Sequence, residues 1–313
     1  MDSTGPVAAI DCGTNSTRLL VADADGRPLT RLMRITRLGE GVDSTGRLSE
    51  VAIDRCLRVL AEYRRTMDEL GVVRARLVAT SAARDASNGP EFVAAAAGVT
   101  GAEPALLSGR DEGRLSLAGA VADLDPDDGP FLVVDIGGGS TELVTGAGAD
   151  DPELAVVSLQ IGCVRVFERY LECDPPTSAS LHAAREVVGA TVRAALTAEP
   201  RLGLPALLVG LAGTVTTLSA LEMGLAVYDR DRVHHSVLTA EAVGRWERTL
   251  AGEDRGARLV RPGMAEGRED VIVAGALILS TLMTVLGKDR CLVSEADILD
   301  GMVAGLVAPA SPG

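Results

Sequence analysis

One short loop occurs twice in this chain, each time between two apolar runs. Asp11-Cys12-Gly13-Thr14-Asn15-Ser16-Thr17 follows Val7-Ala8-Ala9-Ile10, and Asp135-Ile136-Gly137-Gly138-Gly139-Ser140-Thr141 follows Phe131-Leu132-Val133-Val134. Superposing Asp11 on Asp135 puts Ser16 on Ser140 and Thr17 on Thr141. Both copies then enter a second apolar run, Leu19-Leu20-Val21 and Leu143-Val144. Strand, tight turn and strand are therefore written twice. The repeat predicts two related lobes, each holding one side of a phosphorylated ligand in a cleft between them. Glycine lets the backbone approach an anion and reach positive φ, and successive amides in such a turn form an anion nest. The ligand groups this assigns are Gly13, Thr14, Asn15, Ser16 and Thr17 in the first loop, and Gly137, Gly138, Gly139, Ser140 and Thr141 in the second.

The loops differ after Ser-Thr, where the first has Arg18 and the second Glu142. Arg18 would add positive charge to a phosphate path. Glu142 would add a second carboxylate near Asp135, and paired oxygens suit a hard divalent cation. Asp11 and Asp135, each ending a strand, could reach such an ion or its bound water. The alternative for Glu142 is a solvated hairpin residue.

Length and composition set bounds on this reading. The 313 residues suffice for two domains, and 47% are apolar, with only 2% aromatic. Both cores must then be built from Val, Leu, Ala and Ile. A net charge of −14 argues against nucleic acid, which needs a basic face. Lys288 is the only lysine among 30 basic residues, which we read as compositional bias. Cys12, Cys56, Cys163, Cys173 and Cys291 form no C-x-x-C pair and fit a reducing, cytoplasmic setting without structural disulfides. Three histidines make a zinc site a poor expectation. No secretory pattern opens the chain, and the apolar stretch Val271 to Leu286 reads as a buried helix rather than a membrane span.

Along the chain, 6–36 reads as a meander of strands and 49–70 as an amphipathic helix stopped by Gly71. A buried strand, Arg76 to Ala79, ends in Thr80-Ser81-Ala82-Ala83-Arg84. Hydroxyls at a strand end with an arginine one turn later suit an oxyanion; helix capping by Thr80 or Ser81 is the alternative. A helix near Glu91–Ala97, a short strand Pro104–Leu107 and a helix near Asp111–Ala122 follow. The polar segment 123–130 marks a boundary between domains at 1–124 and 125–313. In the second half, a strand at Leu154–Leu159 runs into Ile161-Gly162-Cys163, and Ser178–Leu196 is helical. Gly210-Leu211-Ala212-Gly213-Thr214 opens a helix whose amides would face an anion, which adds Gly213 and Thr214 to the phosphate set. The rest reads as helical up to a strand Arg290–Val293 and a last helix near 298–307, which could cross back to the first domain. Asp111 and Glu112 stand side by side at a helix start, so spacing alone does not choose between them. His234-His235 lies in a polar turn with no ligand spacing.

Taken in order, these segments resemble the exopolyphosphatase/guanosine pentaphosphate phosphohydrolase family, Ppx/GppA, of the actin–Hsp70–sugar kinase superfamily. The resemblance rests on Asp11–Arg18, Ala79–Arg84, Ser108–Arg114, Val134–Glu142, Ser158–Arg165 and Gly210–Thr217. It implies an α/β fold of two ribonuclease H-like, actin-like domains with a cleft between them. It also implies hydrolysis of the terminal phosphate of inorganic polyphosphate with Mg²⁺ or Mn²⁺, with dependence on a monovalent cation left open. Glu112 matches the family's general base, with Asp111 in place of the carboxylate before it. Asp135 and Glu142 match its metal-side pair, and Arg84 an arginine associated with the phosphate chain, beside the strand-end hydroxyl of Ser81. A homodimer is expected from the resemblance. Hydrolysis of guanosine pentaphosphate, a kinase reaction on a hydroxyl acceptor and non-catalytic nucleotide binding stay open beside it. The low aromatic content leaves no guanosine-stacking pocket visible. Longer members carry a further C-terminal helical region, and the resemblance is to the short, two-domain form.

Overall fold

The computed structural model describes residues 5–171, 173–205 and 207–308. The chain divides into two compact units, one of residues 1–119 and 298–313, the other of residues 120–297.

In the first unit the strands are β1 (Val7–Cys12), β2 (Ser16–Ala22), β3 (Pro28–Ile35), β4 (Arg74–Ala79) and β5 (Glu103–Leu106), in sheet order β3-β2-β1-β4-β5. The first three are antiparallel, and β1, β4 and β5 run parallel. Strand β1 is buried along its whole length, as a central strand covered on both faces requires. On one face α2 (Glu50–Glu69) and α4 (Gly89–Thr100) pack against Ala8, Ile10, Leu19 and Leu77. Ser49 caps α2 through its hydroxyl, and Gly71 at φ 66° follows the helix as the stop expected from the sequence. The other face carries Val7, Ala9, Leu20 and Val78 against Leu299, Met302 and Val303 of the last helix. Two short helices, α1 (Val42–Thr45) and α3 (Ser81–Asp85), and α5 (Gly109–Ala120) complete this part.

In the second unit β6 (Phe131–Ile136), β7 (Thr141–Gly146), β8 (Ala155–Leu159), β9 (Leu207–Leu211), β10 (Val237–Thr239) and β11 (Arg290–Val293) order as β10-β11-β9-β6-β7-β8. Leaving out β10, strand order and direction repeat those of the first sheet. The repeat extends to register: Asp11 pairs with Arg18 across β1 and β2, and Asp135 with Glu142 across β6 and β7. The helices here are α6 (Cys163–Tyr170), α7 (Ser178–Ala198), α8 (Ala212–Glu222), α9 (Arg230–Val233), α10 (Ala240–Ala251), α11 (Arg255–Leu259) and α12 (Ile272–Leu286). The last helix, α13 (Ile298–Val307), belongs to the first unit.

Two elements differ from the sequence reading. The expected strand end at Ile161–Cys163 opens α6 instead, and β10 interrupts a stretch read as helical. α12 is buried almost throughout, and no helix among the described residues is long and apolar enough to cross a membrane. All five cysteines are free thiols.

Candidate active site

In both phosphate loops the carbonyls are tied down by a neighbouring segment. In the first, Gly13 N–H donates to Ser16 O at 3.0 Å, closing the turn. Thr14 O accepts from Gly39 N–H, and Asn15 O from the amides of Thr36 and Arg37, at 2.9 to 3.1 Å. Gly39 has to be glycine, because a Cβ there would lie 2.3 Å from Thr14 Cγ2. In the second loop Gly137 O accepts from Cys163 N–H and Gly138 O from Val164 and Arg165 N–H, at 2.9 to 3.2 Å. Arg165 Nε adds a bond to Gly139 O at 2.8 Å. Gly162 lies so close to Gly138 that a Cβ would meet its carbonyl carbon at 2.3 Å. With their carbonyls engaged behind, the loops keep their amides as the groups able to meet an anion. Below them, Thr17 Oγ1 bonds Thr36 Oγ1 at 2.8 Å, Tyr63 OH donates to Thr17 O at 2.8 Å, and Thr141 Oγ1 donates to Ile161 O. Ser16 is half-buried, and Ser140 and Thr141 are buried.

At the C-terminal ends of β1, β4 and β5 the first unit gathers Asn15, Ser81, Arg84 and Glu112. Thr80 precedes α3 but makes no side-chain capping bond, so the capping alternative fails for it. Ser81 Oγ, Asn15 Nδ2 and Arg84 Nη2 are buried polar atoms with no hydrogen-bond partner. Such groups are costly unless something completes them, and all three can donate to an oxyanion. Arg84 Nη1 meanwhile donates to Leu107 O and to Glu112 Oε2, both at 2.9 Å. Glu112 is 9% exposed. Its neighbour Asp111 is exposed and turns back on Ser108, whose hydroxyl donates to Asp111 Oδ2 at 2.6 Å and accepts from Asp111 N–H at 3.1 Å. The adjacent carboxylates thus have separate roles: Asp111 closes the helix start, and Glu112 faces a guanidinium.

Arg18 lies against Asp11, with Nε and Nη2 at 2.9 and 2.6 Å from Oδ2. The charge expected along the phosphate path is engaged in this cross-strand pair. In the second unit the equivalent pair is two carboxylates. Glu142 is fully buried and not a solvated hairpin residue; Asp135 is 7% exposed. Ser158 Oγ donates to Glu142 Oε1 at 2.7 Å. Two clustered carboxylates with oxygen-only donors fit a hard divalent ion such as Mg²⁺ or Mn²⁺.

Helix α8 starts from Ala212 in the left-handed region, φ 65°. A Cβ on Gly213 would fall 1.8 Å from Arg268 Cζ, so the Arg268 guanidinium lies over this turn. Thr214 is buried beside Gly275, which has no room for a side chain. Arg268 was not foreseen. It follows Gly267 in a polar stretch, and no local pattern marks it; only the lack of a side chain at Gly213 hints that something lies there.

Asp123, His234 and His235 also come together. His234 Nε2 is 2.8 Å from Asp123 Oδ2, His235 Nε2 is 3.5 Å from Oδ1, and the rings stack at 3.9 Å. Glu295 N–H donates to His234 Nδ1 at 3.1 Å. That places the ring proton on Nε2, facing Asp123, where a metal would need the lone pair. We read the group as a hydrogen-bonded clamp.

Residues 20–309 match the model of the Ppx/GppA phosphatase family. Exopolyphosphatase 2 of Mycobacterium tuberculosis is 42% identical, over 96% of this chain and 98% of its own length. Among solved structures, the Aquifex aeolicus Ppx/GppA family member is 35% identical over 97% of this chain and 98% of its own, with a TM-score of 0.79. An exopolyphosphatase from Cytophaga hutchinsonii is 26% identical over 97% of this chain and 100% of its own, with a TM-score of 0.84. This chain belongs to the Ppx/GppA phosphatase family.

Proposed function

We propose that the chain is an exopolyphosphatase, using water to remove the terminal phosphate of inorganic polyphosphate. The observation that carries this reading is Arg84, which bonds the Glu112 carboxylate through Nη1 and leaves Nη2 buried and partnerless, as are Asn15 Nδ2 and Ser81 Oγ in the segments after β1 and β4. Donors of this kind match the oxygens of a phosphoryl group, and a carboxylate among them matches the proton of an attacking water. Family membership and the names of the relatives support the same substrate.

In this reading Arg84 has two tasks. Nη1 holds the Glu112 carboxylate in place, and Nη2 meets a phosphate oxygen. Glu112 orients the water and takes its proton. The amides of residues 14–17, in the turn that Gly13 closes, and of 137–141 hold phosphate oxygens, with Gly213, Thr214 and Arg268 as further donors. Asp135 and Glu142 would hold Mg²⁺ or Mn²⁺, which when bound would neutralise charge on the phosphate oxygens. Asp11, engaged by Arg18, is assigned to bracing the first loop rather than to holding the metal. Phosphoryl transfer asks mostly for such positioning and charge stabilisation. We also assign a cytoplasmic homodimer, the commonest symmetric assembly, to be checked by sedimentation.

The test is phosphate release from short and long polyphosphates and from guanosine pentaphosphate, with and without Mg²⁺, in K⁺ and in Na⁺. Metal-dependent release from polyphosphate with no added acceptor is expected. Release only from guanosine pentaphosphate, transfer that requires a hydroxyl acceptor, or tight binding without turnover would each overturn the reading.

A further inference from the structure

Two of the five thiols share the buried core beside the first phosphate loop. Cys12 is the last residue of β1, directly before Gly13 of the loop, Cys56 lies on α2, and both are fully buried in the same core. Both lie in one buried cluster with Leu19, Leu60 and Tyr63. Cys56 Sγ is also 3.2 Å from Thr17 Oγ1, and Thr17 is the cross-strand partner of Cys12. The proposed hydrolysis uses neither thiol.

We propose that Cys12 and Cys56 form a modification site, at which hydrogen peroxide joins them in a disulfide that disables the first phosphate loop. The Cys56 thiolate attacks one peroxide oxygen and breaks the O–O bond, giving a sulfenic acid and hydroxide. Cys12 sulfur then displaces the sulfenic oxygen, forming the S–S bond and releasing water. Overall two thiols and one peroxide become one disulfide and two waters, with the thiol sulfurs oxidised and peroxide reduced.

The surroundings assign the order of attack. Cys56 is acidified, first by the Cys12 thiol, against its burial, and further by Thr17 and Arg55. Cys12 is pushed up, first by the Cys56 thiol and then by burial. Cys56 therefore ionises first and Cys12 resolves. Both thiols are fully buried, so oxidation proceeds through a local opening of the core that admits small, uncharged peroxide but not a peptide disulfide. Bridging takes Cys56 away from Thr17 and draws Cys12 toward α2. The loop carrying Gly13 to Thr17 is then held away from its working geometry, and reduction reverses the change. Bridge formation does not depend on the proposed hydrolase activity; the loss of turnover does.

The experiment treats the folded full-length chain with peroxide, blocks remaining thiols with iodoacetamide under denaturing conditions, and maps an unreduced digest by mass. A Cys12–Cys56 cross-linked peptide is expected. Phosphate release is expected to fall about tenfold or more and to return with dithiothreitol. Cys56→Ala is expected to match the untreated wild type and to keep its turnover in peroxide. Modification at Cys173 alone, a bridged peptide with undiminished turnover, or a Cys56→Ala protein inactivated as fast as wild type would each overturn the proposal. If the untreated protein releases no phosphate from polyphosphate, the functional reading fails, while the peptide map still decides the bridge. The map also decides it should Cys56→Ala fail to fold.

Discussion

Asp111 and Glu112 are neighbours in the chain, yet the fold separates their chemistry. The Ser108 hydroxyl engages Asp111, while Arg84 reaches across from α3 to Glu112. A guanidinium at hydrogen-bond distance favours the ionised carboxylate, which a general base has to be. Glu112→Gln keeps the shape and removes the basicity. Its kcat on polyphosphate should drop by about 10²–10⁴-fold with little change in KM, as read by steady-state phosphate release. An unchanged kcat would remove Glu112 from the base role. The residue pair was legible only in part. Both carboxylates stood out in the sequence, but their division of labour depends on Ser108 and on Arg84, which is remote in sequence.

The strands set the register of the carboxylates, and single contacts hold them. Asp135 and Glu142 are paired across β6 and β7, and Ser158 from β8 holds Glu142 at 2.7 Å. Losing a hydrogen bond to a ligating carboxylate typically costs 10–100-fold in metal affinity. Ser158→Ala should therefore shift the Mg²⁺ activation curve upward by about that factor, leaving turnover at saturating Mg²⁺ close to wild type. The segment carrying Arg268 has its own anchor in Glu269. Glu269 Oε1 accepts from Arg255 at 3.0 Å and Oε2 from Gly267 N–H at 2.7 Å. Burial by itself would raise its pKa, but backbone amides and Arg255 outweigh this and hold it below the usual 4.5. A depressed folded-state value means that the stabilisation is present above the unfolded value and is lost as pH falls through the folded one. The wild type should therefore lose stability below about pH 4.5 more steeply than Glu269→Gln, with urea midpoints as the measure. Parallel curves would show that Glu269 contributes nothing to acid sensitivity.

At the scale of the whole molecule the chain builds one sheet plan twice and completes the first copy with its own far end. Leu299, Met302 and Val303 of α13 cover the face of the first sheet formed by Val7, Ala9 and Leu20. Gly301 is required there, because a Cβ would meet Leu115 O at 2.2 Å. Truncating a fully buried leucine leaves a cavity. Leu299→Ala should lower unfolding stability by about 2–5 kcal/mol, measured by urea titration with circular dichroism. A change within error would mean that α13 adds little to this core.

The repeated Asp-x-Gly loops, the flanking apolar runs and the amphipathic helix at 49–70 were readable because each is a local pattern with a period or a turn signature. They were enough to place both strand–turn–strand units and to mark Asp135 and Glu142 as a carboxylate pair and Arg84 as an oxyanion candidate, while Glu112 was separated from Asp111 only by the family resemblance. Tertiary structure decided what depends on groups distant in sequence. It set Arg18 against Asp11, laid Arg268 over Gly213, brought Cys56 against Thr17, the cross-strand partner of Cys12, and left Asn15, Ser81 and Arg84 with buried donors unmet. Local sequence specifies how a segment curls. Burial and hydrogen-bond satisfaction are settled only when remote segments pack together, and it is there that a side chain acquires its chemistry.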